Sequence, residues 1–236
     1  MNIELVLSPA LYEGRQLKEH HAVVAVDILR ATTAICTAFQ AGAYEVVPLT
    51  SLDALPYYAQ QGYTLAAERN GLKVHGAKCG NSPTEYMSMD LRGQRLAYST
   101  TNGTVSIVRS ANSDFLTVGA FSNLSVLADF LAKSCPFDNL VLLCSGWNGD
   151  PCIEDTLFCG ALIGRLQALG KELSFVNDAS MVALDMWQSV SDRVEEYCSK
   201  ATHVQRLLRL GYAKDIQFAF RIDTCPVLPV YVASSK

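Results

Sequence analysis

Apolar residues in this chain come in short unbroken runs, and most runs stop at a polar or charged cluster. Residues 22–26, Ala-Val-Val-Ala-Val, read as a strand buried on both faces, and the run ends at Asp27. Further runs predict strands at 3–7, 44–49, 63–67, 94–99, 115–118 and 139–144, with a last one at 227–232. Helical patterns follow at 34–41, from Ser51 or Asp53 through Gln61, after Gly103 to about Ser110, and from Ser122 to Lys133. Others run from Thr156 to Leu169 and, capped by Asn177-Asp178, through Trp187. Residues 70–83 combine Gly and Pro with little periodicity and read as an irregular connection.

This alternation predicts an α/β protein, with a mainly parallel sheet, helices on both faces and a helix-rich C-terminal third. No linker or low-complexity tract interrupts the chain, so 1–236 reads as a single domain, with two interleaved subdomains as the alternative. In parallel sheets ligands sit beyond the carboxyl ends of the strands. Polar clusters recur at those ends: Asp27, Glu68-Arg69, Thr100-Thr101-Asn102 and Ser145.

The cluster at 27–33 is the richest. A helix start offers N–H groups and a positive dipole end to an anion, and Arg30 offers a bidentate fork. Asp27 would repel that anion unless a cation sat between them, so the pattern predicts a divalent metal bridging an acid and an anionic substrate. The plainer reading has Asp27 cap the helix or pair with Arg30. The hydroxyls of Thr32 and Thr33, as oxyanion donors, weigh toward function. Thr101, Asn102, Gly103 and Thr104 form a second hydroxyl-rich helix start, either a turn and cap or an anion cradle. Ser145 is a third such position. Glu154 and Asp155 open a helix, which suits either the helix dipole or Mg²⁺ ligation, and Glu68 is open in the same way. His203, near Arg206 and Arg209, reads as part of a solvated face, with anion binding as the alternative.

Charge and cysteine usage narrow the partners. A formal net charge of −4 disfavours nucleic acid and anionic membrane surfaces, and no apolar run is long enough to span a bilayer. Met1-Asn2-Ile3-Glu4 lacks signal-peptide character, so a cytoplasmic location is expected. The eight cysteines are scattered without a CxxC pair, which suits reduced thiols, and neither they nor the histidines show zinc-ligand spacing. A homo-oligomer is compatible with the apolar content, but no residue specifies one.

Common phosphate-handling signatures are missing. A haloacid-dehalogenase-type phosphatase has a second Asp where this chain has Leu29. Cys159 and Arg165 match Cys-x5-Arg formally, but the intervening residues belong to an apolar helix. Neither a Walker A loop nor GxGxxG is present.

The segments 26–33 (Val-Asp-Ile-Leu-Arg-Ala-Thr-Thr), 68–73 (Glu-Arg-Asn-Gly-Leu-Lys), 80–86 (Gly-Asn-Ser-Pro-Thr-Glu-Tyr), 99–104 (Ser-Thr-Thr-Asn-Gly-Thr) and 154–161 (Glu-Asp-Thr-Leu-Phe-Cys-Gly-Ala), in that order, resemble the 2-phosphosulfolactate phosphatase family. The resemblance covers nearly the whole chain. It implies a Mg²⁺-dependent α/β phosphatase that converts 2-phospho-3-sulfolactate to 3-sulfolactate, a step toward coenzyme M. It also implies Asp27, Arg30 and Glu154 as catalytic residues. Asp27 and Glu154 lead as metal ligands, with Glu68 and Asp155 behind them. Arg30, Thr32, Thr33, Thr101, Asn102, Gly103, Thr104 and Ser145 would hold the anionic groups. Asp27 is read as a ligand, with direct attack by Asp27 as the alternative. Two rival functions remain: a phosphatase of the same fold for another small phosphorylated acid, and a non-catalytic anion-binding module.

Overall fold

A computed structural model describes residues 1–233 except 14, 16 and 18. Its strands are β1 (Asn2–Val6), β2 (His21–Val26), β3 (Glu45–Pro48), β4 (Thr64–Arg69), β5 (Leu72–Lys73), β6 (Arg95–Ser99), β7 (Phe115–Gly119), β8 (Asn139–Cys144) and β9 (Ser174–Phe175). The larger sheet has the order β7-β2-β8-β1-β9 and every pairing in it is parallel. The smaller sheet, β3-β6-β4-β5, is parallel except for the β4–β5 hairpin. The result is an α/β fold with a mainly parallel sheet and many helices in its C-terminal part.

The chain leaves the larger sheet after β2, through helix Ala31–Gln40, builds the smaller sheet, and returns through helix Gly103–Arg109 to β7. Because β2 and β7 are neighbours, the smaller sheet is an excursion between two adjacent strands. The unbroken apolar run of β2 is explained by its position between β7 and β8, where Ala22–Val26 are all buried.

Two short pairings escape a reading of the sequence, β4 with β5 and β1 with β9. Within 70–83, Asn70 and Gly71 both take positive φ (54° and 83°) and close the β4–β5 hairpin in two residues. Asn-Gly is the strongest short hairpin signal, but β5 is too short to show a period. The strand expected at 227–232 does not form. Pro226 and Pro229 lack N–H donors, so this segment makes only an isolated bridge from Val230 to Thr117 along the free edge of β7. Among the described residues no helix is long and apolar enough to cross a membrane. The eight cysteines are free, and all but Cys135 are buried.

Helix Ile153–Ala168 carries Glu154 and Asp155 to the sheet and is covered from outside by helix Asp178–Val190. Their close approach depends on Gly160, where an added Cβ would lie 2.0 Å from the Ala183 carbonyl oxygen. Gly160→Ala should therefore destabilise the protein by about 1–3 kcal/mol in urea unfolding. Gly164→Ala is the control: its Cβ would meet nothing closer than 3.6 Å. It should be neutral or stabilising through helix propensity, and equal losses at both positions would rule out the packing explanation.

Candidate active site

The carboxyl ends of β2, β4, β6 and β8 meet at one cleft. Asp27 enters it from β2, Glu68 from β4, Thr101 and Asn102 from the loop after β6, and Trp147 from the loop after β8. Both sheets therefore supply the site.

Asp27 is buried, and its Oδ1 accepts the Ala31 N–H at 3.1 Å, while its carbonyl takes the Thr32 N–H. The start of helix Ala31–Gln40 is thus occupied by Asp27 itself. Oδ2 accepts no hydrogen bond from the described residues and lies beside Gly103, where an added Cβ would sit 2.6 Å from it. A side chain at 103 would push into the acid. Burial raises the Asp27 pKa to about 6; the Ala31 hydrogen bond and His203 work against the rise, and the charges of Glu68 and Glu154 add to it.

Arg30 pairs with Asp215 rather than Asp27. Nη1 donates to Asp215 Oδ2 at 2.9 Å, Nη2 donates to the Gly71 carbonyl at 2.9 Å, and the guanidinium lies 3.7 Å over the Tyr212 ring. The Ser82 and Thr84 hydroxyls donate to the other Asp215 oxygen. Two of five N–H groups are used in this way, so Arg30 lines the cleft with donors to spare.

Glu68 accepts the Thr101 hydroxyl at 2.7 Å and the Asn81 amide at 3.4 Å, and Tyr98 in turn donates to Asn81. Asp155 uses both oxygens on backbone: Oδ1 takes the Ile28 N–H and Oδ2 the Gly146 N–H, joining the tips of β2 and β8. Burial holds its pKa well above the usual carboxylate range, and the charges of Asp27 and Glu154 raise it further.

Glu154 is buried with His203, whose Nδ1 is 3.0 Å from Oε1, while Oε2 has no hydrogen-bond partner among the described residues. Cys152 Sγ is 3.9 Å from the same Nδ1, and donor atoms of Cys152, Glu154 and His203 all lie within 4.8 Å of one another. Trp147 stacks on His203 with centroids 5.5 Å apart and rings 10° from parallel.

Of the residues singled out from sequence, Asp27, Arg30, Glu68, Thr101 and Asn102 line one cleft, and Glu154 reaches it through His203. Gly103 abuts Asp27 from behind. The other hydroxyls are absent from the cleft wall. Thr32 Oγ1 donates to the Asp27 and Gly119 carbonyls, Thr33 to the Ile28 carbonyl, Thr104 to the Thr100 carbonyl, and Ser145 bonds Ser106. Asn81, Trp147, Arg206 and Asp215 were missed. Arg206 and Asp215 lie far along the chain from the residues they serve, while Asn81 and Trp147 stand near Glu68 and Ser145 in the chain but carry no spacing that marks a site. Among the described residues the ligand atoms that converge on one point are those of Cys152, Glu154 and His203, a comparatively soft set, while Asp27 and Glu68 add hard carboxylate oxygens along the cleft wall.

A family model for 2-phosphosulpholactate phosphatase matches residues 6–234. The chain belongs to this family. A relative from Thermosynechococcus vestitus is 36% identical over 89% of this chain and 88% of its own length. One from Carboxydothermus hydrogenoformans is 34% identical over 97% and 92%, and one from Thermotoga petrophila 31% identical over 91% and 90%. Each is named "Probable 2-phosphosulfolactate phosphatase".

Two stability tests follow for this 2-phosphosulfolactate phosphatase family member. With Asp27 folded at about 6 against 3.8 for the free group, the unfolded chain releases its proton first. The folded state then holds more protons between these values, so stability falls as pH rises through the window, by up to roughly 3 kcal/mol. In EDTA, Asp27→Asn should gain on wild type across that range in urea unfolding, whereas a pH-independent difference would remove Asp27 as the cause. Arg30→Ala leaves Asp215 buried without its ion pair and should cost about 3–5 kcal/mol in the same assay. A loss below 1 kcal/mol would mean the pair is not structurally engaged.

Proposed function

We propose that this chain is a Mg²⁺-dependent phosphatase that hydrolyses 2-phospho-3-sulfolactate to 3-sulfolactate and phosphate. The observation that carries the reading is the pair of buried carboxylates Asp27 and Glu68 lining one cleft with Arg30, with buried Glu154 behind them and joined to the cleft by His203. The names of the relatives supply the substrate.

The oxygens that these acids leave free are of the kind a hard divalent cation takes. Asp27 Oδ2 and Glu154 Oε2 are carboxylate oxygens without hydrogen bonds from the described residues, and Glu68 keeps lone pairs beyond its two donors. Asp155 is the weakest ligand of the four, because both its oxygens hold backbone N–H groups. When bound, such a cation supplies charge neutralisation of the phosphoryl oxygens and lowers the pKa of a coordinated water.

The chain's own groups do the rest. Arg30, held flat by Tyr212 and Asp215, directs its free N–H groups to phosphoryl oxygens and stabilises the charge of the transition state. Glu154 accepts from His203 Nδ1–H, which fixes the tautomer and leaves Nε2 to take or give a proton. Trp147 keeps the imidazole from turning. Asn102 and Thr101 line the same cleft as Arg206, with the Thr101 hydroxyl spent on Glu68.

The deciding assay is phosphate release from 2-phosphosulfolactate with Mg²⁺ or EDTA. Release should stop in EDTA and return with Mg²⁺, and Glu154→Gln should lower kcat/KM by about 100-fold or more. No release from any phosphorylated carboxylate or sulfonate, with ligand binding retained, would instead make the protein an anion-binding module.

A further inference from the structure

We propose that Arg206 forms a second oxyanion subsite in this cleft and selects substrates that carry a sulfonate or carboxylate at some distance from the phosphate. The inference rests on the phosphatase reading above and deepens it.

Two arginines line the cleft, and the Asn70-Gly71 turn lies between them. Arg30 donates to the Gly71 carbonyl, and Arg206 donates to the Asn70 carbonyl. Gly71 allows this approach: with φ at 83°, an added Cβ would stand 3.2 Å and 3.3 Å from the Arg206 guanidinium nitrogens and 2.8 Å from Leu210 Cδ1. The two guanidiniums are therefore set by consecutive carbonyls of one rigid turn.

Their charges are treated differently. Arg30 is neutralised by buried Asp215 at 2.9 Å. Among the described residues no carboxylate pairs with Arg206. It is half-buried, with its Cζ 5.5 Å from the Trp147 ring centroid and one edge on the Asn70 carbonyl. A guanidinium so held keeps its remaining donors pre-oriented and its charge uncompensated. That is the condition for recognising a two-oxygen anionic edge, and a sulfonate and a carboxylate both present one.

Repulsion sets which end of the substrate goes where. The carboxylates of Asp27, Glu68 and Glu154 disfavour a second anion beside them unless a cation intervenes. With the phosphate served by that cation and Arg30, the acid on the far carbon falls to Arg206, while the carboxylate next to the ester is common to all three test substrates below. Helix Thr202–Arg209 carries both His203 and Arg206, three residues apart and so on one face, and Trp147 lies against both. Selection and proton handling thus share one helix turn.

The test compares three phosphate monoesters: 2-phosphosulfolactate, 2-phosphomalate and 2-phospholactate, which lacks the second acidic group at the far carbon. Arg206→Met should lower the kcat/KM preference for the first two over phospholactate by about 10- to 100-fold, mainly through KM. Arg206→Lys should recover part of it. A preference unchanged in Arg206→Met, or absent from wild type, overturns the subsite. If wild type hydrolyses phosphomalate but not phosphosulfolactate, the substrate reading fails, while a loss of preference for phosphomalate still supports the subsite. If none of the three is hydrolysed, calorimetry with 3-sulfolactate and lactate decides: equal sulfolactate binding by wild type and Arg206→Met overturns it, and a 10-fold weaker binding by the variant supports it.

Discussion

Like charges buried together are the constraint around which this molecule is arranged. Asp27, Glu68, Glu154 and Asp155 are all withdrawn from water at the strand tips, where mutual repulsion is poorly screened. Each is tolerated by a different device. Asp155 is held by two backbone N–H groups, Glu68 by a hydroxyl and an amide, Asp27 by a helix start, and Glu154 by an imidazole. These devices also join the elements, since Asp155 ties β2 to β8 and Glu68 ties β4 to the loop after β6. The apolar interior of β2, β8 and helix Ile153–Ala168 provides the stability against which this electrostatic cost is set.

The parts of the fold that could be read from sequence are those governed by local pattern. Buried strands such as 22–26 and 139–144 announce themselves as unbroken apolar runs that end abruptly, and the parallel-sheet rule then collects their polar tips into one place. The hydroxyls were harder to interpret because two uses compete at the same spacing. A Thr or Ser at a helix start can face a ligand or bond a carbonyl four or five residues back, and Thr32, Thr33 and Thr104 do the latter. Partners far apart in sequence left no trace at all. Arg30 meets Asp215 across 185 residues, and Glu154 meets His203 across 49. Only the assembled fold shows that the helix-start acid and the helical histidine are one unit.

The arginines show the same division. Arg30 stands within the most chemically suggestive segment of the sequence, yet its charge is compensated by Asp215 and its plane is covered by Tyr212. Arg206 sits in a stretch that reads as a solvated helix face, yet it lines the cleft and rests on Trp147. Both line the cleft with N–H groups to spare, and pairing separates them: Asp215 compensates the charge of Arg30, while that of Arg206 is left open.

The excursion of the chain between β2 and β7 has a consequence for assembly during synthesis. β1 and β2 emerge first but are not neighbours; β8 lies between them. The smaller sheet, complete once residue 99 is made, can pair before any strand of the larger one finds a partner. β2 next acquires β7, and only the arrival of residues 139–144 joins β1 to the rest. Until then the most apolar strand of the nascent chain keeps an unpaired edge, which is the kind of intermediate that invites aggregation or a chaperone. The acids of helix Ile153–Ala168 follow, and His203, Arg206 and Asp215 come after them, so the charged cleft closes on a scaffold already able to hold it.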